Sequence, residues 1–154
     1  MGYGSGVSRS EGDEALALDG QLCFALYAAS RAVTDVYRPL LAQMGLTYPQ
    51  YLALLVLWER SPVPVKEIGA ALQLDYGTVS PLLKRLEQQG LITRQRAAGD
   101  ERSVTVALTA DGDALRLKAR AIPPHIQCAV GLDERAAHDL IETLRALTDS
   151  TRAR

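Results

Sequence analysis

The strongest constraint on the fold of this chain is a change of hydrophobic period between residues 66 and 108. In "VKEIGAALQL" the apolar groups recur at threes and fours, which predicts a short helix with Ile68, Leu72 and Ala71 facing inward. After a tight turn, "LDYGTVSPLLKRLEQQG" puts Val79, Leu82, Leu83 and Leu86 on one helical face, with Asp75 placed to cap the start and Gly90 to stop the end. Directly behind it the period falls to two. The runs 92–96 and 103–108, around an "AAGDER" tip, predict a hairpin. Two helices joined by a tight turn and backed by a hairpin are the layout of a winged helix-turn-helix. The expected fold is therefore mainly α with a small β-hairpin wing, the recognition helix over 75–89 and the wing over 92–108.

The flanks read as helices. Residues 1–14, "MGYGSGVSRSEGDE", hold too few apolar groups to offset the entropy of ordering and predict a flexible tail. From Leu16, the positions Leu18, Leu22, Leu26, Ala29, Val33, Val36 and Leu40 predict one long helix, weakened near its end by Pro39 and stopped at Gly45. Thr47 and Gln50 have capping-box spacing at the head of "LTYPQYLALLVLWERS", a helix expected to end near Arg60, with Pro49 harmless in its first turn. "SPVPV" breaks the pattern, and a short strand is expected at Val65. Thr109 caps the segment "ADGDALRLKARAI", which Pro123 and Pro124 are expected to interrupt before the chain resumes as "HIQCAVG". Asp133 then opens a last helix with Leu140, Ile141, Leu144 and Leu147 in register.

A length of 154 residues fits one domain or one protomer, and a helical chain of this size can place apolar surface in a dimer interface. The apolar fraction of 47% and the absence of any run of about 18 apolar residues predict no membrane association, and the N-terminus lacks the pattern of an export signal, so the cytoplasm is the expected compartment. The formal charge of −1 does not exclude a nucleic-acid partner, because the location of charge matters more than its sum. Glu11, Asp13, Glu14 and Asp19 crowd one end, whereas Lys84, Arg85, Arg94, Arg96 and Arg102 crowd the hairpin region. No cofactor is expected. His125, Cys128 and His138 have ligand-like spacing but no acidic partner close by, and no metal site is expected.

In a winged helix-turn-helix the N-terminal residues of the second helix meet base edges in the major groove, here Tyr76, Gly77, Thr78 and Ser80 behind Asp75. Lys84 and Arg85, one turn later, are placed for phosphates. Arg94 and Arg96 share one strand face, and Arg102 at the tip lies beside Asp100, which can hold its guanidinium toward a minor groove or a phosphate.

The segment "LQLDYGTVSPLLKRLEQQGLITRQRAAGDERSVTVALTADG" resembles the multiple-antibiotic-resistance regulator (MarR) family, in which a recognition helix precedes a D-x-R wing and an "LT..G" run. Tyr76 departs from the small residue expected at its position. The resemblance covers about residues 16–150 and implies a MarR-like homodimer on double-stranded, pseudo-palindromic operator DNA. It also implies a domain plan: an N-terminal dimerisation helix over 15–45, a DNA-binding lobe over 46–120 and C-terminal dimerisation helices over 121–154.

Two cysteines, Cys23 and Cys128, far apart in the chain, do not suggest a constitutive disulfide. A thiol in an apolar helix is ordinarily inert, since burial disfavours thiolate, but phenolic hydroxyls donating to sulfur stabilise the charged form. Here "LCFALYAASR", "YRPLL" and "LTYPQYL" resemble the organic-hydroperoxide-resistance repressors (OhrR), a subfamily of MarR regulators. That resemblance implies Cys23 as the peroxidatic cysteine, Cys128 of the other protomer as the resolving one, and Tyr37 and Tyr48 as donors to the thiolate across the dimer interface, with Tyr27 as a further interface tyrosine. It implies an organic hydroperoxide as effector and release of DNA on oxidation. Two other readings stay open on the residues alone: a family member released by a phenolic or lipophilic ligand, and a thiol peroxidase using both cysteines.

Overall fold

The computed structural model describes residues 16–97 and 100–153, with side chains over 16–96 and 104–153. The expected tail over 1–14 and the side chains of Asp100 and Arg102 lie outside the described residues. Contacts divide the chain into two units at residue 35. The first holds a single 3-10 turn, Leu18–Gly20, and the greater part of helix α1, Leu22–Ala42. The helix predicted from Leu16 thus starts at Leu22, because Gln21 is extended (φ −86°, ψ 113°) behind a glycine, which disfavours continuous helix. No described side chain of this unit is buried, and Leu22 and Tyr27 are 61% and 59% exposed.

The second unit begins at Val36. Here α1 runs through Pro39 to Ala42, and Gly45 takes the left-handed conformation (φ +66°) while the Leu46 amide donates to Leu41 O at 3.0 Å. Helix α2, Tyr48–Glu59, starts where Gln50 Oε1 accepts from the Thr47 amide at 2.8 Å. This helix is apolar around most of its circumference, with Ala53, Leu54 and Leu57 sealed from solvent and Leu55 left 41% exposed.

Beyond α2, the strand lies one step earlier than expected. β1 is Val63–Pro64, and Val65 opens helix α3, Val65–Leu72. Val63 pairs with Val106 and Pro64 with Thr105, so a distant strand rather than local propensity defines β1. The inward face of α3 also differs: Val65, Ile68 and Gly69 are buried, whereas Ala71 is exposed. A Cβ on Gly69 would stand 3.0 Å from Leu74 O, tight against the backbone of the turn, and at an ordinary contact distance of 3.5 Å from Val79 of the next helix. Gln73 makes the turn in the left-handed region (φ +58°), and the Leu74 amide closes it onto Gly69 O at 2.9 Å.

Helix α4, Tyr76–Gln88, buries Val79, Leu82, Leu83 and Leu86 as its period predicts. Gly90 (φ +72°) then redirects the chain into β2, Ile92–Ala97, and β3, Asp100–Leu108, which complete an antiparallel sheet of order β1-β3-β2. The strands reach further than the runs 92–96 and 103–108, with Ala97 paired to Asp100, so the tip is shorter than the expected "AAGDER" loop.

Helix α5, Ala110–Ala119, is capped by Thr109, whose Oγ1 accepts from the Gly112 amide at 3.1 Å. Pro123 and Pro124 do not interrupt this helix. They occupy the first turn of the next one, α6, Ile122–Val130, where an amide has no intrahelical partner to lose. Asp133 caps α7, Glu134–Arg152, through the Ala136 amide at 2.8 Å. The apolar stripe expected on α7 exists but is unfilled within one chain, with Leu140 and Ile141 both 47% exposed. Among the described residues no helix is long and apolar enough to cross a membrane.

Candidate functional site

At the start of α4 a single carboxylate sets the geometry. Asp75 Oδ1 accepts from the Thr78 amide at 2.9 Å and Oδ2 from the Thr78 hydroxyl at 3.0 Å, so both oxygens are engaged. These bonds hold the Asp75 carboxyl below its ordinary pKa, keeping it ionised where the positive end of the helix favours negative charge. The Thr78 hydroxyl proton is committed to Asp75, which leaves its oxygen to act as an acceptor. A Cβ at Gly77 would come within 3.1 Å of Asp75 Oδ1, so glycine suits this first turn. Tyr76 is 68% exposed, Ser80 is half-buried, and Lys84 and Arg85 are exposed on the outer face.

The two strand arginines differ. Arg96 is exposed, whereas Arg94 donates from Nε and Nη2 to Glu87 Oε2 at 2.9 and 2.8 Å, and its amide donates to Glu87 Oε1 at 3.2 Å. These bonds hold the Glu87 carboxyl below its usual pKa. The sequence pattern alone assigns Glu87 no role. The signal was present as opposite charges on either side of the Gly90 stop.

A second constellation gathers tyrosines. The Tyr37 and Tyr48 rings lie 4.8 Å apart and the Tyr37 and Tyr51 rings 5.9 Å apart, with Tyr51 edge-on to Trp58 at 6.2 Å. Burial raises the pKa of all three phenols above 10.0, so each remains a protonated donor at neutral pH. Tyr51 was not among the expected site residues. Its place, one helical turn beyond Tyr48 on α2, was the available clue. Tyr27, in the first unit, instead accepts from Arg31 Nη1 at 3.3 Å, with the guanidinium 5.5 Å from its ring centroid. Cys23 and Cys128 are both free and exposed in the single chain.

Three polar connections, of which only that of Trp58 is fully buried, run from this region to the end of α4 and to α5. Gln50, at the head of α2, donates to Gln89 Oε1 at 3.4 Å, and Gln89 donates to Gly45 O at 2.8 Å. Trp58 Nε1 donates to Gly112 O at 3.0 Å. Gly112 sits against the Leu91 carbonyl so tightly that a Cβ there would overlap it. Thr109 completes the junction, donating from Oγ1 to Gly90 O at 2.6 Å and from its amide to Leu91 O at 3.1 Å. Among the described residues no group of three or more His, Cys, Asp or Glu side chains is arranged to hold a metal ion.

Comparison with known proteins places these features in a family. Residues 46–104 match the MarR family. The chain is 53% identical over 130 residues to the organic hydroperoxide resistance transcriptional regulator of Bacillus subtilis (strain 168), covering 84% of this chain and 86% of that one. Among solved structures, reduced AbfR bound to DNA matches with a TM-score of 0.73 and 35% identity, over 91% of this chain and 99% of that one. A disulfide-formed AbfR matches with a TM-score of 0.62 and 36% identity, over 89% and 96%. AbfR is a protein of Staphylococcus epidermidis.

Proposed function

The chain belongs to the MarR family of transcriptional regulators, close to an organic hydroperoxide resistance regulator, and from that premise we propose that it is a thiol-based repressor of the OhrR type. The observation that carries the reading is the pairing of Tyr37 and Tyr48, two half-buried, protonated phenols with rings 4.8 Å apart, in a chain that also bears Cys23 and Cys128. In the proposed cytoplasmic homodimer these phenols face Cys23 of the other protomer and donate to its thiolate, which offsets the cost of charge in an apolar pocket.

The chemistry follows the sulfur oxidation ladder. Cys23 thiolate attacks the O–O bond of an organic hydroperoxide, the oxygen transferred to sulfur gives a sulfenic acid, and the leaving alkoxide takes a proton and departs as the alcohol. The Cys128 thiol of the other protomer then attacks the sulfenic sulfur, forming the disulfide and expelling water. Bringing the sulfurs to bonding distance requires the helices carrying them to move. The Gln50 to Gln89 and Trp58 to Gly112 bonds support transmission of that movement, because they join α2 to the end of α4 and to α5, whose Gly112 packs on Leu91 at the base of the hairpin. DNA affinity then falls, and a thiol reductant restores it.

On the DNA side, the reduced dimer is proposed to place α4 of each protomer in successive major grooves of a pseudo-palindromic operator. Tyr76, Gly77, Thr78 and Ser80 face bases, Lys84, Arg85 and Arg96 face phosphates, and Arg102, aligned by Asp100, reaches from the wing. Asp75 acts by holding Thr78 in place. A DNA-shift assay on wild type and Cys23→Ser, with and without cumene hydroperoxide, tests the sensor. Oxidation is expected to release wild type only. Equal release of both proteins, or of neither, removes Cys23 from the mechanism.

A second reading, release by a phenolic or lipophilic ligand, is favoured by a groove of about 320 Å³ lined by Tyr51, Leu55 and Trp58 and flanked by Arg116 and Arg120. It requires DNA release on addition of such a ligand to protein whose Cys23 has been alkylated.

A further inference from the structure

We propose that Glu87 is a positioning residue for DNA reading, and that Arg94 serves the same purpose by locking the wing to the recognition helix rather than by touching a phosphate. The inference rests on the DNA-binding reading above and concerns a pair to which that reading gives no positioning role.

The physical case begins at Gly90. The chain leaves α4 through this left-handed residue, and a Cβ there would meet nothing within 4 Å, so packing around Gly90 itself does little to hold the angle between helix and hairpin. The Thr109 bonds to Gly90 and Leu91 secure the base of the hairpin. Further along β2, among the described hydrogen bonds, the tie to α4 is Glu87 with Arg94. An exposed ion pair alone adds little, because solvent screens it and side-chain entropy opposes it. This pair differs in that one carboxylate oxygen takes two guanidinium donors and the other takes the main-chain amide of Arg94. The carboxylate therefore fixes the strand and not only a side chain.

The position of β2 explains why an amide is available. The sheet order β1-β3-β2 makes β2 an edge strand, whose outward N–H groups have no ladder partner. Glu87 satisfies one of them. The lever arm explains why this matters for reading DNA. At roughly 3.3 Å per residue a six-residue strand extends about 20 Å, so a tilt of about 10° at its base displaces the tip by roughly 3 Å. A displacement of that size separates a groove contact from none.

The experiment uses the full reduced chain and a labelled duplex carrying the site that wild type selects from a random-sequence pool. Affinities are measured across a salt series for wild type, Glu87→Gln, Arg94→Gln, Arg94→Lys and the Glu87→Gln/Arg94→Gln double variant, with thermal unfolding alongside. The clamp is expected to make Glu87→Gln and Arg94→Gln each lose about tenfold in affinity, with the double variant no worse than either. Arg94→Lys should lose nearly as much as Arg94→Gln, since an ammonium lacks the planar fork, and the salt slope should match wild type throughout. A phosphate contact gives the opposite pattern: Arg94→Gln lowers the slope by about 0.9, Arg94→Lys retains affinity, and Glu87→Gln is neutral or tighter. That pattern overturns the proposal, as does loss of folding in both single variants, which makes the pair a stability element. If wild type selects no duplex at all, the DNA-binding reading itself fails, a result distinct from either pattern.

Discussion

Asp75 determines where the recognition helix begins, because its carboxylate takes both the amide and the hydroxyl of Thr78. Its pKa is depressed from the ordinary 3.8, so the fold binds this proton less readily than the unfolded chain. The cap is therefore fully present above pH 3.8 and is lost as pH falls through the lower, folded value. Asp75→Ala is expected to fray the first turn of α4 and weaken duplex binding at neutral pH. In acid titrations followed by circular dichroism it should lack the step that wild type shows, and identical titrations would mean that the cap contributes nothing. The tyrosines have the opposite sign. Tyr37, Tyr48 and Tyr51 are raised above 10.0, so the folded state holds these protons more tightly, and stability present below that pH is lost as pH rises through the folded values. Tyrosinate absorbance should show Tyr37, Tyr48 and Tyr51 titrating later in the native than in the denatured protein. Native and denatured titrations that coincide would contradict the partial burial of this cluster.

Between elements, two glycines mark where backbones approach most closely. A side chain at Gly112 would overlap the Leu91 carbonyl, part of the junction of α5 with the hairpin base, and neither backbone can yield without breaking Thr109 bonds. Gly112→Ala is expected to destabilise the protein by about 1–3 kcal/mol or more. Gly69→Ala faces a softer limit, 3.0 Å to Leu74 O, and gains the helix propensity of alanine, roughly 1 kcal/mol, in return. Thermal unfolding of the two variants should place Gly112→Ala well below Gly69→Ala, and the reverse order would mean that the α5 junction is loose. The cap of α5 was legible from Thr109 alone. The role of Gly112 was not, since it depends on Leu91, a residue brought beside it only by the turn of the hairpin.

At the scale of the molecule, α7 carries an apolar stripe that the single chain leaves unfilled. Leu140, Ile141 and Leu144 are 47%, 47% and 38% exposed, and α1 also carries Leu22 and Phe24 in the open. The proposed homodimer covers such surface. Ile141→Asp combined with Leu144→Asp is expected to shift sedimentation to the monomer and to abolish high-affinity binding to a two-fold duplex, while the lobe retains its helical signal. A variant that sediments unchanged would move the dimer contact away from this face.

What depends on a few neighbouring residues was legible in the chain: the caps at Asp75, Thr109 and Asp133, the stops at Gly45 and Gly90, the buried face of α4 and the two-strand wing. Each follows from hydrogen-bonding groups within three positions or from a hydrophobic period, and both are written in consecutive letters. What requires a partner distant in the chain became visible only in the folded molecule. Val63 rather than Val65 is a strand because Val106 pairs with it, and Gly69 rather than Ala71 faces inward because Val79 crosses there. Tyr51 joins Tyr37 because α1 packs on α2, and Glu87 holds Arg94 because the chain reverses at Gly90. A contact of this kind has no period to announce it, since its energy depends on two surfaces meeting, and only folding brings them together.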